Sequence, residues 1–565
     1  MSEAGPSVTG SAPAYEDFIA TFSAAEIERR LSGSLDWGLN ACVECCDRHA
    51  DPGRAALALP KEGGGSARLT FDELKERSAR LANLLQARGV RPGDRVAGLL
   101  PRTPDLLVVI LGTLRAGAVY QPLFTAFGPK SIEYRVTSSE ARLIFTDREN
   151  RPKLADVTGC PPIITVGGEE GSAEAADKGD FAAELMQQSA TFEPVMRHGD
   201  DPFLMLFTSG TTGPAKGVSV PLKALLSFYV YMRWALDLRP EDVYWNIADP
   251  GWAYGLYYAV IGPLLLGHAT TFYDGAFTVE STYRLIRKHG ITNLAGAPTA
   301  YRLLIAGGVE PAEVIRGRLR VVSSAGETLN PEVIRWFAKT LDCPIHDHYG
   351  QTEVGMVLCN HHGLLHPVHL GSAGLAMPGF RLAVVDENAR ELPAGTSGIL
   401  AVDRKRSPLF WFPGYWQQPT TNWVGDYHLT GDTVERNADG SISFVGRSDD
   451  IITSSGYRIG PYDVESALIE HPAVSEAAIV GKPDPQRTEL VKAFVVLRAG
   501  VEPTSELTEE LQKWVKTRLA AHAYPREIEF IEEIPKTPSG KIQRFILRNQ
   551  EAEKAQAAEA LQRRT

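Results

Sequence analysis

The sequence predicts an α/β protein: a large, multi-subdomain N-terminal domain of parallel sheets covered by helices, with a β-rich subdomain, and then a small α+β C-terminal domain. Three observations carry this reading. Short apolar runs alternate with helical patterns through the first part of the chain, as parallel strands with crossover helices require. Beyond about residue 375 the rhythm changes to short strands separated by turns. A charged, turn-forming segment, 446-GRSDD, then divides two patterned regions.

The elements follow in order. In 71-FDELKERSARLANLLQARG, Phe71, Leu74, Leu81, Leu84 and Leu85 share one helical stripe that ends at a glycine. A strand at 96–100, a helix over 104–116 and an apolar run at 119–124 begin the βα alternation. It continues through 142-RLIFTD, 162-PIITV, 203-FLMLFTSG, 291-ITNLAGAP and 319-LRVVSSAG, with a helix at 331-PEVIRWFAKT. The segments 380-FRLAVVDENAR, 398-GILAV and 441-SISFVGR make the β-rich part. After the boundary come a helix opened by Pro461, strands at 474-VSEAAIVG and 491-VKAFVVLR, a helix near 506–519 and a strand at 527-EIEFIEE. The expected divisions are a disordered lead-in (1–30), the N-terminal domain (31–447), the C-terminal domain (448–550) and a tail (551–565).

Composition excludes several classes. With 565 residues, 44% hydrophobic and 22% charged, the chain is ordinary globular material with several cores. Its 58 Lys and Arg against 69 Asp and Glu give a net charge of -11, which argues against nucleic acid or an anionic membrane surface as partner. The start, MSEAGPSVTGSAPAYEDF, lacks the basic and apolar regions of a secretory signal, so a cytoplasmic location is expected. The apolar runs at 105–120 and 256–267 are broken by Arg115 and Pro263, so no membrane span is expected. Cys42, Cys45 and Cys46 lie at helical spacing with no second ligand pair, which favours buried thiols over zinc. The cluster Cys359, His361, His362, His366 and His369 carries Gly and Pro punctuation and reads as a surface loop rather than a metal site.

The chemistry begins where the strand 203-FLMLF runs into 208-TSGTTGPAKG. Glycines let backbone N–H groups approach phosphate oxygens, hydroxyls add donors, and Lys216 adds charge. The spacing is not that of a P-loop. Further along come 347-DHYGQTEVG, 430-TGD, 446-GRSDD, 455-SGYRIGP and 535-PKTPSGKIQR. Over nearly its whole length, and on these motifs in this order, the chain resembles an acyl-CoA synthetase of the adenylate-forming (AMP-binding) superfamily, in the branch of acetyl- and medium-chain acyl-CoA synthetases.

The resemblance implies an AMP-forming carboxylic acid:CoA ligase that makes an acyl-adenylate and then a thioester, with ATP, Mg²⁺ and coenzyme A. It implies that Thr208, Ser209, Gly210, Thr211, Thr212, Gly213 and Lys216 hold phosphates, and that Gly326, Glu327 and Thr328 hold the adenine. Asp347, His348, Tyr349, Gly350, Gln351 and Thr352 then line the nucleotide, Glu353 holds the Mg²⁺, Asp432 accepts the ribose hydroxyls and Arg447 reaches the ribose and phosphates. Lys541 matches the lysine set between carboxylate and α-phosphate. The C-terminal domain is expected to be mobile about Asp449, presenting Ser455, Gly456, Tyr457 and Arg458 to CoA. In some relatives a lysine acyltransferase regulates the equivalent of Lys541.

In acetate-specific relatives a tryptophan precedes the Gln-Thr-Glu motif, and here that position is Gly350. With Ala253 and Ala325 it is expected to enlarge an acyl pocket bounded by Trp252 and Tyr254, so a short-to-medium or branched acid larger than acetate is expected. Tyr254 either refills part of that space or points elsewhere. Acetate and aryl acids such as benzoate stand as alternatives, and a non-CoA adenylating enzyme is the rival class.

Overall fold

The structure is a computed structural model that describes residues 12–61, 66–167, 181–208, 215–273, 275–327, 329–447, 450–454, 457–484, 487–519, 523–537 and 541–562. The first apolar runs form a six-stranded sheet in the order Ile163–Thr165, Leu143–Thr146, Arg95–Leu99, Val119–Pro122, Pro202–Phe207, Gly217–Pro221. All neighbours are parallel except the last pair, an antiparallel hairpin that brackets the glycine-rich loop. The helix Pro104–Arg115 starts on a proline and buries every residue from Leu106 to Arg115, so it lies inside the domain rather than on it. Against it packs Phe71–Ala87, whose start is fixed by a capping box between Thr70 and Glu73.

A second six-stranded sheet positions the site. Tyr244–Asn246, Asn293–Gly296, Val321–Ala325 and Ile345–Gln351 run parallel in sequence order, and Gly355–Cys359 returns antiparallel with Leu375–Ala376 beside it. The carboxyl ends of the parallel strands release Gly326, Glu327 and the Gln351–Glu353 turn on one side, where open α/β sheets take their ligands. The β-rich part is an antiparallel sheet of Leu382–Val385, Ser397–Asp403, Tyr427–Arg436, Trp423–Val424 and Ile442–Arg447. The small C-terminal domain has its own sheet, with Val474–Asp484 and Thr488–Leu497 as a long hairpin, flanked by Pro461–Ile469, Ser505–Arg518 and Arg544–Gln562. It has its own core, with Ile452, Leu468, Ile479, Val495, Leu511 and Val515 buried.

Two expectations are corrected. Residues 12–30 are ordered, not a disordered lead-in. Tyr15–Thr21 and Ala24–Glu28 are helices, and Tyr15 donates its backbone N–H to Leu365 O and its hydroxyl to Ala376 O. The 359–369 segment is likewise no exposed loop at its start, since Cys359, Asn360 and His361 are buried, with Tyr15 against His361. The tail is helical through Gln562, and Glu551 in it is fully buried against Lys492 and Lys554.

The boundary segment is followed by a buried ionic cluster. Arg544, three residues past Lys541, donates to both oxygens of Glu465 at 2.7 to 3.0 Å, while Asp450 accepts from Arg544 and Arg548. Glu465 also accepts the Ile479 N–H. Glu465→Ala should therefore strand Arg544 with Asp450 alone and destabilise the C-terminal domain by about 3 kcal/mol. Calorimetry should show an earlier first transition, and an unchanged thermogram would contradict the assignment of this cluster as a structural clamp.

Candidate active site

One cavity of about 790 Å³ gathers most of the expected nucleotide residues. Thr208 and Lys216, at the mouth of the hairpin, line it and close the loop by mutual bonds: Thr208 N–H donates to Lys216 O and Lys216 N–H to Thr208 Oγ1, both at 3.0 Å. Lys216 places its ammonium 4.6 Å from the Tyr415 ring centroid, and the Tyr415 hydroxyl donates to Glu353 Oε1 at 2.8 Å. A cation, a phenol and a carboxylate thus stand in line. Burial pushes the Glu353 carboxyl above its usual range, opposed by the Tyr415 hydrogen bond and the charges of Lys541 and Arg447.

On the opposite wall Asp432 is buried and accepts from three side chains. Tyr349 Oη donates to its Oδ2, Gln351 Nε2 to the same oxygen at 3.0 Å, and Arg447 Nη1 to Oδ1 at 3.1 Å. Arg447 reaches it because the two residues are cross-strand partners. Burial raises the Asp432 carboxyl and the Arg447 charge pulls it back. Between these walls lie Gly326, Glu327, Asp347, His348, Gly350 and Thr352, all lining the same cavity. Glu327 is held by Thr299 and Arg302. Asp347 is half-buried with its Oδ1 atom buried and without a side-chain partner, and burial raises its carboxyl well above the ordinary range against the backbone N–H groups of Leu329 and His348. A buried oxygen atom without a partner beside a cavity can take a donor from the occupant.

Lys541 enters this cavity from the C-terminal domain. Its backbone is fixed by Thr537, whose N–H donates to Lys541 O at 2.8 Å and whose Oγ1 accepts the Lys541 N–H at 3.1 Å. Tyr462, on the same domain, donates to Leu329 O at 2.7 Å and so ties the two domains beside the Gly326–Glu327 segment.

A second cavity of about 1340 Å³ shares Gly350, Gln351, Thr352 and Lys541 with the first and contains Trp252, Ala253, Tyr254 and Ala325. Tyr257, Tyr258 and Met356 complete its inner end, and its mouth reaches Arg498, Trp514 and Arg518. Gly350 requires a correction. A Cβ built there falls 2.3 Å from Gly355 O and 2.8 Å from Met356 Cα, so the missing side chain is what lets the returning strand approach across an irregular register, not empty pocket space.

Sequence reasoning missed Tyr415, Tyr462, Tyr257 and Tyr258. Only 413-PGYW, glycine-and-proline punctuation around aromatics, hinted at the first. Ser209, Gly210, Thr211, Thr212, Gly213, Thr328, Asp449, Ser455 and Gly456 lie outside the described residues, as do the side chains of Tyr457 and Arg458, whose backbone is the strand Tyr457–Ile459. Among the described residues no group of three or more His, Cys, Asp or Glu converges to hold a metal. No helix of the described chain is long and apolar enough to cross a membrane.

Known proteins resemble this chain over most of its length. Residues 46–416 match the AMP-binding enzyme family and residues 463–541 the AMP-binding enzyme C-terminal domain. The chain is 39% identical over 545 residues to "Acetyl-coenzyme A synthetase" of Bacillus subtilis (strain 168), covering 94% of each. It is 36% identical over 515 residues to "Acyl-coenzyme A synthetase ACSM4, mitochondrial" of Rattus norvegicus, covering 88% of this chain and 87% of that one. The crystal structure of Brucella canis acyl-CoA synthetase is 58% identical and superposes with a TM-score of 0.78, covering 96% of this chain and 100% of the other. The chain therefore belongs to the AMP-binding superfamily as an acyl-CoA synthetase, an AMP-forming ligase that joins a carboxylic acid to CoA.

Proposed function

We propose that its substrate is an aliphatic acid of short-to-medium or branched chain, larger than acetate. The observation that carries the reading is the inner end of the second cavity, where Ala253 and Ala325 present only methyl groups among Trp252, Tyr257, Tyr258 and Met356. The name of the Bacillus relative favours acetate as the second reading.

The division of labour is also proposed. In the first half-reaction a carboxylate oxygen attacks the α-phosphorus of ATP and pyrophosphate leaves. Two anions must meet, and Lys541, which lines both cavities, supplies the positive charge between them. Lys216 and Thr208 hold the phosphates, Asp432 takes the ribose hydroxyls, and Asp347 takes a donor from the base. Glu353 suits Mg²⁺, because a single carboxylate with substrate phosphates is the oxygen set this ion commonly uses. Bound there, Mg²⁺ supplies positive charge to the phosphates. In the second half-reaction the CoA sulfur loses its proton and attacks the acyl carbonyl, and AMP leaves. For this step the C-terminal domain turns about Asp449 and brings Ser455, Gly456, Tyr457 and Arg458 to the CoA arm.

Lys541→Ala should lower acyl-AMP formation by about 10²–10³-fold or more while supplied acyl-AMP is still converted to thioester. Equal loss of both half-reactions would refute the assignment. Acylation of the same amine by a lysine acyltransferase removes the same charge and should reproduce the variant. Pyrophosphate release measured over straight and branched acids, with and without CoA, tests the substrate. The specificity constant should rise about three- to fourfold per methylene beyond acetate until the cavity ends, and a maximum at acetate would reject the size reading. Gly350→Ala should depress activity on every acid alike and cost about 1–3 kcal/mol, because its Cβ meets backbone. A selective loss of long acids would instead place position 350 in the acyl path.

A further inference from the structure

The helix Pro461–Ile469 is built with two faces. Val464, Ala467 and Leu468 are buried in the core of the C-terminal domain. Tyr462, Ser466 and Ile469 recur at i, i+4 and i+7, which puts them on one side of the helix, and all three line the nucleotide cavity instead. The helix therefore faces the N-terminal domain at the place where Lys541 arrives.

Both ends of this helix are tied there. At its start the Tyr462 hydroxyl donates to Leu329 O at 2.7 Å, and the direction is fixed because a carbonyl can only accept. The Leu329 N–H in turn bonds the Asp347 carboxyl, on the wall proposed for the base. Phe444, from the β-rich sheet, stands edge-on to the half-buried Tyr462 ring with centroids 6.4 Å apart. At the far end Glu470 lies 3.4 Å from Arg518 of its own domain and 3.9 Å from Arg335, on the helix Pro331–Leu341 that begins just after Leu329. The two ties are unequal. Arg335 is exposed and its pair with Glu470 is long, so screening leaves it little, whereas the Tyr462 bond is short and sheltered.

We propose that Tyr462 is a positioning residue for the first half-reaction: it latches the C-terminal domain in the orientation that sets Lys541 in the nucleotide cavity, and it releases Leu329 before CoA reacts. This rests on the reading that the domain turns for the second half-reaction. A bond made in only one of two orientations shifts their populations by its own worth and no more, and for one neutral hydrogen bond that is about fivefold. The contact that favours acyl-AMP formation therefore opposes transfer to CoA.

The test times the two half-reactions separately in single turnovers, with acid and ATP giving acyl-AMP, and supplied acyl-AMP and CoA giving thioester. In Tyr462→Phe the ratio of the first rate to the second should fall about fivefold. Calorimetry in the presence of AMP should show CoA binding more tightly by about the same factor, because the orientation it meets is more populated. A merely loosened fold does neither, since it lowers both rates and weakens both ligands. Arg335→Glu, at an exposed position, sets like charges against Glu470 and should move the ratio the same way by about twofold, in low salt only. That variant carries the test if thermal unfolding shows that Tyr462→Phe does not fold. An unmoved ratio, or CoA bound no more tightly, overturns the proposal. Asp449→Pro tells its failure from that of the turning domain, because proline fixes the backbone at the hinge. If Asp449→Pro spares acyl-AMP formation and stops thioester formation, the domain turns, and an unmoved ratio in Tyr462→Phe refutes the latch alone. If it leaves both steps intact, the turning reading falls and the latch with it.

Discussion

The site depends on a buried carboxylate that three donors share. Asp432 belongs to the β-rich sheet, whereas Tyr349 and Gln351 belong to the parallel sheet and Arg447 is the last described residue before the boundary. A carboxylate this buried is tolerated only when it is hydrogen-bonded, so the two sheets must meet in one register. The same contact sets Gln351, and with it the turn that carries Thr352 and Glu353. On the far side Tyr415 repeats the device, joining Glu353 to the Lys216 ammonium through one phenol. The walls of the nucleotide cavity are thus cross-linked by hydrogen bonds that preorganise charge before any anion arrives.

The chain as a whole is acidic, yet its substrates are anions. The contradiction is resolved locally. Lys216, Arg447 and Lys541 come from three different regions of the sequence and line one cavity. Net charge therefore describes the outer field, and placement of a few cations decides binding.

How much of this was legible in the sequence follows from the range of the interactions. The helix Phe71–Ala87 and the strands Arg95–Leu99, Val119–Pro122, Leu143–Thr146, Ile163–Thr165, Pro202–Phe207, Asn293–Gly296 and Val321–Ala325 are local patterns readable within a residue or two. Tyr244–Asn246 and Ile345–Gln351, whose residues do not form plain apolar runs between turn signals, were not read as strands, and neither was Gly355–Cys359. The motifs themselves were readable, because each is contiguous, and their residues Thr208, Lys216, Gly326, Glu327, Gln351, Asp432, Arg447 and Lys541 line one cavity. What was not readable is contact across distance. Nothing near Tyr415 names Glu353 as its partner, and nothing in 359-CNHHG says that Tyr15, far upstream, will cover it. The misreading of Gly350 has the same root. A missing side chain looks like added volume in a string of letters, but the direction of its Cβ is set by the neighbouring strand, and here that direction is occupied by backbone.

That close approach also bears on how such a pocket can change over time. Position 350 is mechanically joined to Gly355 and Met356, so a larger residue there is admissible only with a compensating shift of the hairpin. Positions 253 and 325 already carry a Cβ, so the backbone contact that bars one at 350 does not arise there. Adaptation to a new acid by single substitutions would thus be channelled through the latter two, while a change at 350 would need several simultaneous replacements, making it an epistatic barrier between lineages with different acyl preferences.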